Sequence, residues 1–433
     1  MGSVQTRQKR LIRAAGVSVA RRGELLACLR WDDEGSRRLE RFSDEDWHDL
    51  LAVIEVGNGH ALLTRRLARP GHAANPPEQV VLTLQNRQKK LAARAFRSTL
   101  LLVEAVERAQ RPAVFLKGID IAQRIYGGFG TRTMSDVDLL VRPADTARFH
   151  DALLALGFRT QGPPTAARQA ENLWSQAAYD PPRNSLYPLD LHWRLGKREH
   201  GIEHDIDTDA IWARAEPYPE LGRTDVLVMS REDLLLYLAL HLRHHTYDSP
   251  LTQVWDIAEV LEWSGSRFDW DAFWARASAW QLTKTVSLAL LQAHRTLGIA
   301  VPVAPSGDVP PEIARLLPDV LPNLGIHRNR QRVAEPHVAD LFAPAIPARK
   351  RLARLWNRLF PARAEIAARF SLPSHSWRVF PQYFVYWRHQ TRDHGHFVFR
   401  WLAGDRDMRE RSDRIHGLSL WLASGRSTTR HDP

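Results

Sequence analysis

The sequence predicts an α+β protein, mostly α overall, with a small mixed β-sheet embedded between helical regions. Two observations predict it. The stretches before Pro112 and after Arg231 carry apolar residues at helical spacing. Between them, short apolar runs near 113–116, 136–141 and 186–195 have the length of buried strands. The chain has 433 residues, room for about two or three domains. Hydrophobic residues make up 44% and charged residues 25%, which excludes a wholly disordered chain.

The elements follow in order. Residues 1–112 read as an N-terminal helical region. Trp47, Leu50, Leu51 and Ile54 repeat at helical spacing behind a start signal at Ser43, Glu45 and Asp46. A second helix spans Leu91 to Ala109, and Pro112 stops it. Residues 113–228 form the mixed core. Ala113–Leu116 is a strand, Gly118 a turn, and Ile119 to Tyr126 returns to helical spacing. Gly127, Gly128 and Gly130 mark a loop. Asp136–Val141 is the second strand. A helix from Pro143 to Leu156 closes at Gly157, and Leu186–Leu195 gives a third strand. Residues 229–300 are helices that pack on this core. Nine prolines between Pro302 and Pro347 make 301–348 a linker with short helical pieces.

The last region, 349–433, is basic and aromatic. It holds 17 Lys/Arg against 7 Asp/Glu, so it carries nearly all of the chain's net charge of +11. Leu352, Leu355, Trp356, Leu359 and Phe360 follow an amphipathic helical pattern with Arg351, Arg354 and Arg358 between them. Two readings stay open: a helix lying on an anionic membrane surface, or one packed on the body with its arginines in solvent. Aromatics among arginines also suit single-stranded RNA, although no RNA-binding motif accompanies them.

Other features bound location. No run approaches 18 apolar residues, so no transmembrane span is expected. The basic start, MGSVQTRQKR, lacks the apolar stretch of a secretory signal. Gly2 with Thr6 matches the loose myristoylation pattern. Only seven of the 60 basic residues are lysine, a composition of GC-rich bacterial genomes that speaks against that modification. The single cysteine, Cys28, excludes an intramolecular disulfide and a Cys-rich zinc site. The expected location is cytoplasmic, with 349–433 available for docking at the inner membrane face.

The chemistry concentrates in Asp136-Val137-Asp138. On a strand, residues two apart share a face, so both carboxylates project together. They repel unless a cation sits between them. Mg²⁺ suits such a pair, because it takes carboxylate oxygens and keeps substrate phosphates among its other ligands. Lys117-Gly118, at the end of a strand, offers a cation and close backbone approach to phosphate. Asp190 supplies a third carboxylate on another strand, with His192 on its face. Three acids from two strands beside a glycine turn suit two-metal phosphoryl chemistry. Arg132 fits either a phosphate contact or an ion pair that holds the acidic strand.

His241, His244 and His245 share a helical face, a spacing that can bind a transition metal, contact the acceptor or serve structure. Asp256, on the next helix, is placed to orient one of them. The Asp136/Asp138 pair also fits a metal-dependent glycosyltransferase acting on a nucleotide-sugar. That enzyme would need a nucleotide-binding sheet before the pair. A third reading is a non-catalytic protein of the same fold that docks at a membrane.

The segments F-L-K-G (115–118), R-T-M-S-D-V-D-L-L-V (132–141) and L-D-L-H-W (189–193) resemble the uncharacterised nucleotidyltransferase family of the DNA polymerase β-like superfamily. The likeness extends over roughly 24–300, including L-H-L-R-H-H (240–245) and W-D-I-A (255–258). The superfamily more often has Gly-Gly or Gly-Ser where this chain has Lys117-Gly118, and a shorter interval before the paired acids. The resemblance implies Mg²⁺-dependent transfer of a nucleotidyl group from a nucleoside triphosphate, with two ions and Mn²⁺ as a substitute. The acceptor would be a hydroxyl or similar group on a protein, an RNA or a small molecule. By the same resemblance Asp136, Asp138 and Asp190 would hold metal, and Gly118 would lie against the triphosphate.

Overall fold

The computed structural model describes residues 13–14, 16–160, 176–195, 198–199, 202–203, 206–247, 251–301, 309–321, 349 and most of 356–424. Gly2, Thr6, most of the proline-rich segment, and Leu352, Leu355, Arg351, Arg354 and Arg358 of the expected amphipathic helix lie outside them.

Among the described residues, five α-helices precede the first strand: α1 (Val19–Leu26), α2 (Asp33–Glu40), α3 (Asp44–Gly57), α4 (His60–Ala68) and α5 (Glu78–Ala109). Ser43 starts α3 with a capping box. Its side chain accepts from the Asp46 N–H, and the Asp46 carboxylate accepts from the Ser43 N–H. The helix α5 begins at Glu78, well before Leu91, and ends where Gln110 turns left-handed ahead of Pro112.

The chain then builds a seven-stranded mixed sheet. Its strands are β1 (Ala113–Phe115), β2 (Val137–Leu140), β3 (Arg159–Thr160), β4 (Gln176–Asp180), β5 (Leu189–His192), β6 (Glu216–Tyr218) and β7 (Arg223–Val228). Their order across the sheet is β3-β4-β5-β2-β1-β7-β6. The pairs β2/β5 and β1/β7 are parallel; β1/β2, β3/β4, β4/β5 and β6/β7 are antiparallel. Strands β3, β4, β6 and β7 are additions to the expected set. Of these, β4 and β6 have weak strand composition (QAAYD, EPY) and form through pairing with a neighbour rather than through local preference.

Both faces of the sheet are covered. On one, Phe115, Val137, Leu139, Leu189, Leu191, Val226 and Val228 pack with Leu102, Val106 and Phe149 of α5 and α6 (Thr146–Ala155). On the other, Val114, Leu116 and Leu140 join the larger core shared by the N-terminal and later helices. These later helices are α7 (Thr208–Arg214), α8 (Arg231–His244), α9 (Leu251–Ser264), α10 (Trp270–Ala279) and α11 (Thr283–Leu297). Ser230 caps α8 through the Asp233 N–H. A short helix, α12 (Pro311–Ala314), lies in the proline-rich stretch. The basic region adds α13 (Arg363–Arg369), α14 (Val379–Leu402) and α15 (Arg406–Ala423). The fold is therefore α+β and mostly helical. Among the described residues, no helix is long and apolar enough to cross a membrane.

Candidate metal and phosphate site

The site follows from strand register. In the parallel pair β2/β5, Asp138 lies opposite Asp190 and Leu140 opposite His192. Alternation puts Val137, Leu139, Leu189 and Leu191 into the α5/α6 core and turns Asp138, Asp190 and His192 to the opposite face. One ligand atom from each of these three residues lies within 4.8 Å of the others. His192 Nε2 is 3.1 Å from Asp138 Oδ1. Gln176 on β4 donates from Nε2 to Asp190 Oδ2 at 3.1 Å. Asp136 sits just ahead of β2, more exposed than Asp138, and its Oδ1 accepts from Ser135 Oγ.

Lys117 follows β1, whose antiparallel pairing with β2 brings it to the same place. Its Nζ lies 2.7 Å from Asp138 Oδ2 and 3.6 Å from Asp136 Oδ1. The sequence expects this amine on substrate phosphates; the structure sets it between two carboxylates. Burial alone would lower the Lys117 ammonium, but Asp138 and Asp136 outweigh that and hold it raised. Burial would raise Asp138, yet Lys117 and the hydrogen bond from His192 keep its carboxyl well below the ordinary range. At Asp190 burial acts more strongly than the charges of His192 and Lys117. Burial, then the charge of Asp138, pushes it up.

Gly118 has φ +65°, and a Cβ there would come within 3.2 Å of Met134 Sδ. The conformation and the close approach both require glycine. The helix expected after this turn is only a short segment that passes into a π-helical stretch at Ile121–Ile125. It is too short to sum an appreciable helix dipole, so backbone attraction for phosphate rests on the Gly118 turn itself.

Arg132 and Asp256 are brought together, 124 residues apart in sequence. Arg132 Nε donates to Asp256 Oδ1 at 2.8 Å, and Nη2 to Oδ2 at 2.6 Å. Tyr126 Oη donates to the same Oδ1 at 2.8 Å. All three side chains are buried. Asp256 thus holds Arg132 and not a histidine, which corrects the expected role. A buried carboxylate needs a full counter-charge, and a guanidinium supplies it in bidentate form. The geometry of Arg132 is that of the ion-pair alternative.

The histidines lie at the C-terminal end of α8. His241 stacks on Tyr237 with ring centroids 6.3 Å apart, and His245 meets His241 edge-on at 4.8 Å. Gln253 Nε2 lies 3.1 Å from His241 Nε2. Sequence reasoning missed Tyr237 and Gln176. Tyr237 is buried in α8, and its hydroxyl is pushed well above its ordinary value, first by burial and then by Asp138, Asp136 and Asp190. The signal for it was a lone polar tip four residues before His241 inside an apolar run. Gln176 carried no such signal, because only the β4/β5 pairing brings it to Asp190.

The donor set fits a divalent cation: two buried or half-buried carboxylates, one imidazole, and a third carboxylate at the rim. The described residues before β1 form helices, so no nucleotide-binding sheet precedes the acid pair as a glycosyltransferase reading requires. The family model of the uncharacterised nucleotidyltransferases matches residues 43–298. No curated protein and no solved structure matches the chain.

Proposed function

Because the chain belongs to the uncharacterised nucleotidyltransferase family, we propose that it transfers a nucleotidyl group from a nucleoside triphosphate to a hydroxyl-type acceptor, with Mg²⁺ or Mn²⁺. The observation that carries the reading is the convergence of Asp138, Asp190 and His192 beside Lys117. Asp138, Asp190 and His192 would hold the cation, with Asp136 at the rim reaching a second ion brought by the substrate. The bound cation would offset phosphate charge and stabilise the attacking and leaving oxygens.

The chain's own groups supply the rest. Asp190 pairs with an amide, not a cation, so it is the carboxylate suited to take the acceptor's proton. The acceptor oxygen bonds to the α-phosphorus as the α–β phosphoanhydride bond breaks, and pyrophosphate leaves with that electron pair. Lys117, whose pairing with Asp138 a bound cation would replace, would turn its charge to the phosphates. Gly118 lets the backbone approach them. Arg132, locked to Asp256, positions the segment that leads into β2.

The test is transfer of label from α-labelled nucleoside triphosphates into the protein, RNA and small-molecule fractions of a cell extract. Asp190→Asn is the informative variant, because it leaves the Lys117–Asp138 pair in place. Transfer by the wild type and its loss in Asp190→Asn, with an unchanged circular dichroism spectrum, supports the assignment. Undiminished transfer in that variant overturns it.

A further inference from the structure

The region after the proline-rich stretch presents an aromatic surface that the catalytic reading does not use. Trp356, Trp377, Phe380 and Phe384 are 63%, 72%, 61% and 72% exposed. Large aromatics are rarely left in water together without a partner. Residues 377, 380, 381, 384, 388 and 392 fall on one stripe of α14 and its preceding turn at helical spacing. The stripe reads Trp, Phe, Pro, Phe, then Arg388 and Arg392, all exposed.

This surface is held in shape from behind. Val379 and Tyr386 are buried against Ile366 and Ala367 of α13. Tyr383 Oη donates to the Pro361 carbonyl, and Trp387 Nε1 donates to the Leu359 carbonyl. Arg363 donates to the carbonyls of His375 and Ser376, which fixes the turn that bears Trp377, and its guanidinium lies 4.9 Å from the Phe380 ring centroid. Phe360 contacts both Trp356 and Trp387, which extends the aromatic surface sideways from α14.

Charge identifies the occupant. Between Arg349 and Arg392 the chain has ten Lys/Arg and one acid, Glu365. An aromatic stripe flanked by arginines matches the boundary of an anionic bilayer, where rings enter the headgroup layer and cations meet lipid phosphates. A nucleic-acid strand would favour a basic groove that tracks its backbone; here Trp377, Phe380 and Phe384 stand on the exposed stripe of one helix and its preceding turn, continued by Arg388 and Arg392. We propose that the α14 stripe, with Trp356 and Phe360 beside it, is a peripheral docking surface for an anionic lipid bilayer.

The test is co-sedimentation of the full chain with phosphatidylcholine vesicles, with and without phosphatidylglycerol, at low and high salt. Binding is expected only with phosphatidylglycerol, and weaker at high salt. Trp377→Ser/Phe380→Ser/Phe384→Ser should weaken it on the order of a hundredfold. Arg388→Glu/Arg392→Glu should weaken it by at least about fivefold per arginine. These exposed positions leave the fold intact by circular dichroism. Failure to bind anionic vesicles overturns the proposal, as does equal binding to neutral ones or full retention in the aromatic triple variant. So does capture of single-stranded RNA, or self-association, that the triple variant abolishes while vesicles are not bound.

Discussion

Lys117 occupies the position a cation would want, and removing it gives the sharpest test of the site. Its Nζ is 2.7 Å from Asp138 Oδ2, with both side chains buried. At an effective dielectric of about 20 the direct attraction is about 6 kcal/mol, much of it offset by desolvation. Lys117→Met leaves a buried carboxylate without its counter-charge, which costs about 3–5 kcal/mol. The melting temperature of the metal-free variant should therefore fall on the order of 10 °C. Added Mn²⁺ should recover most of it, because a ligand at about a hundredfold above its Kd contributes about 2.7 kcal/mol. The wild type should gain less from the same Mn²⁺, since the ion must first displace the ammonium. Differential scanning fluorimetry across a Mn²⁺ titration measures both effects. Equal Mn²⁺-induced rises in the two proteins would refute competition between lysine and metal for Asp138.

Other outcomes follow from the same geometry. His192→Ala should weaken Mn²⁺ binding about 10–100-fold by calorimetry and weaken Mg²⁺ less, because imidazole suits the softer ion. Asp256→Asn should lower the melting temperature by the equivalent of about 3–5 kcal/mol, since it strands the buried Arg132 guanidinium; a stable variant with a raised KM for triphosphate would instead make Arg132 a substrate contact. Gly118→Ala should cost about 1–2 kcal/mol in urea denaturation, from the left-handed backbone and the Met134 contact. Burial would raise the Glu55 carboxyl, but His60 and Arg87 more than offset this and hold it at about 2, against an ordinary 4.5. Its stabilisation is complete above about pH 4.5 and is lost as pH falls toward 2, about 3 kcal/mol in all. Urea midpoints over that range should fall less steeply in Glu55→Gln.

Local pattern carried part of this structure. Period-two alternation in 136–141 and 189–193 places Asp136, Asp138, Asp190 and His192 on defined strand faces, and Ser43 with Asp46 marks the start of α3. What alternation cannot supply is register between strands far apart in the chain. Asp138 opposite Asp190 is a non-local pairing, and it decides which residues share an ion. The same holds for Arg132 with Asp256 and for Gln176 with Asp190. Lys117 was legible as a functional cation but not as a partner of Asp138, because its reach depends on how β1 lies against β2. Strands β4 and β6 were illegible for a related reason. Their sequences favour no conformation strongly, so the neighbouring strand selects it.

Formal charge across the cleft limits how metal and substrate can arrive. Asp136, Asp138 and Asp190 contribute three negative charges, and Lys117 contributes one positive charge. Two units of negative charge remain, which one divalent cation neutralises. A second cation would enter a neutral, partly buried cleft and pay desolvation without compensation. It can enter once the triphosphate brings its own negative charge. On the proposed chemistry, binding is therefore ordered: one ion to the free protein, the second together with the nucleotide. Lys117 then has no carboxylate left to pair with as strongly, and its charge becomes available to the phosphates. Calorimetric titration with Mn²⁺ should give a stoichiometry near one for the protein alone and near two with a non-hydrolysable triphosphate present. Two ions bound in the absence of nucleotide would break this order and place more negative charge in the cleft than these four residues provide.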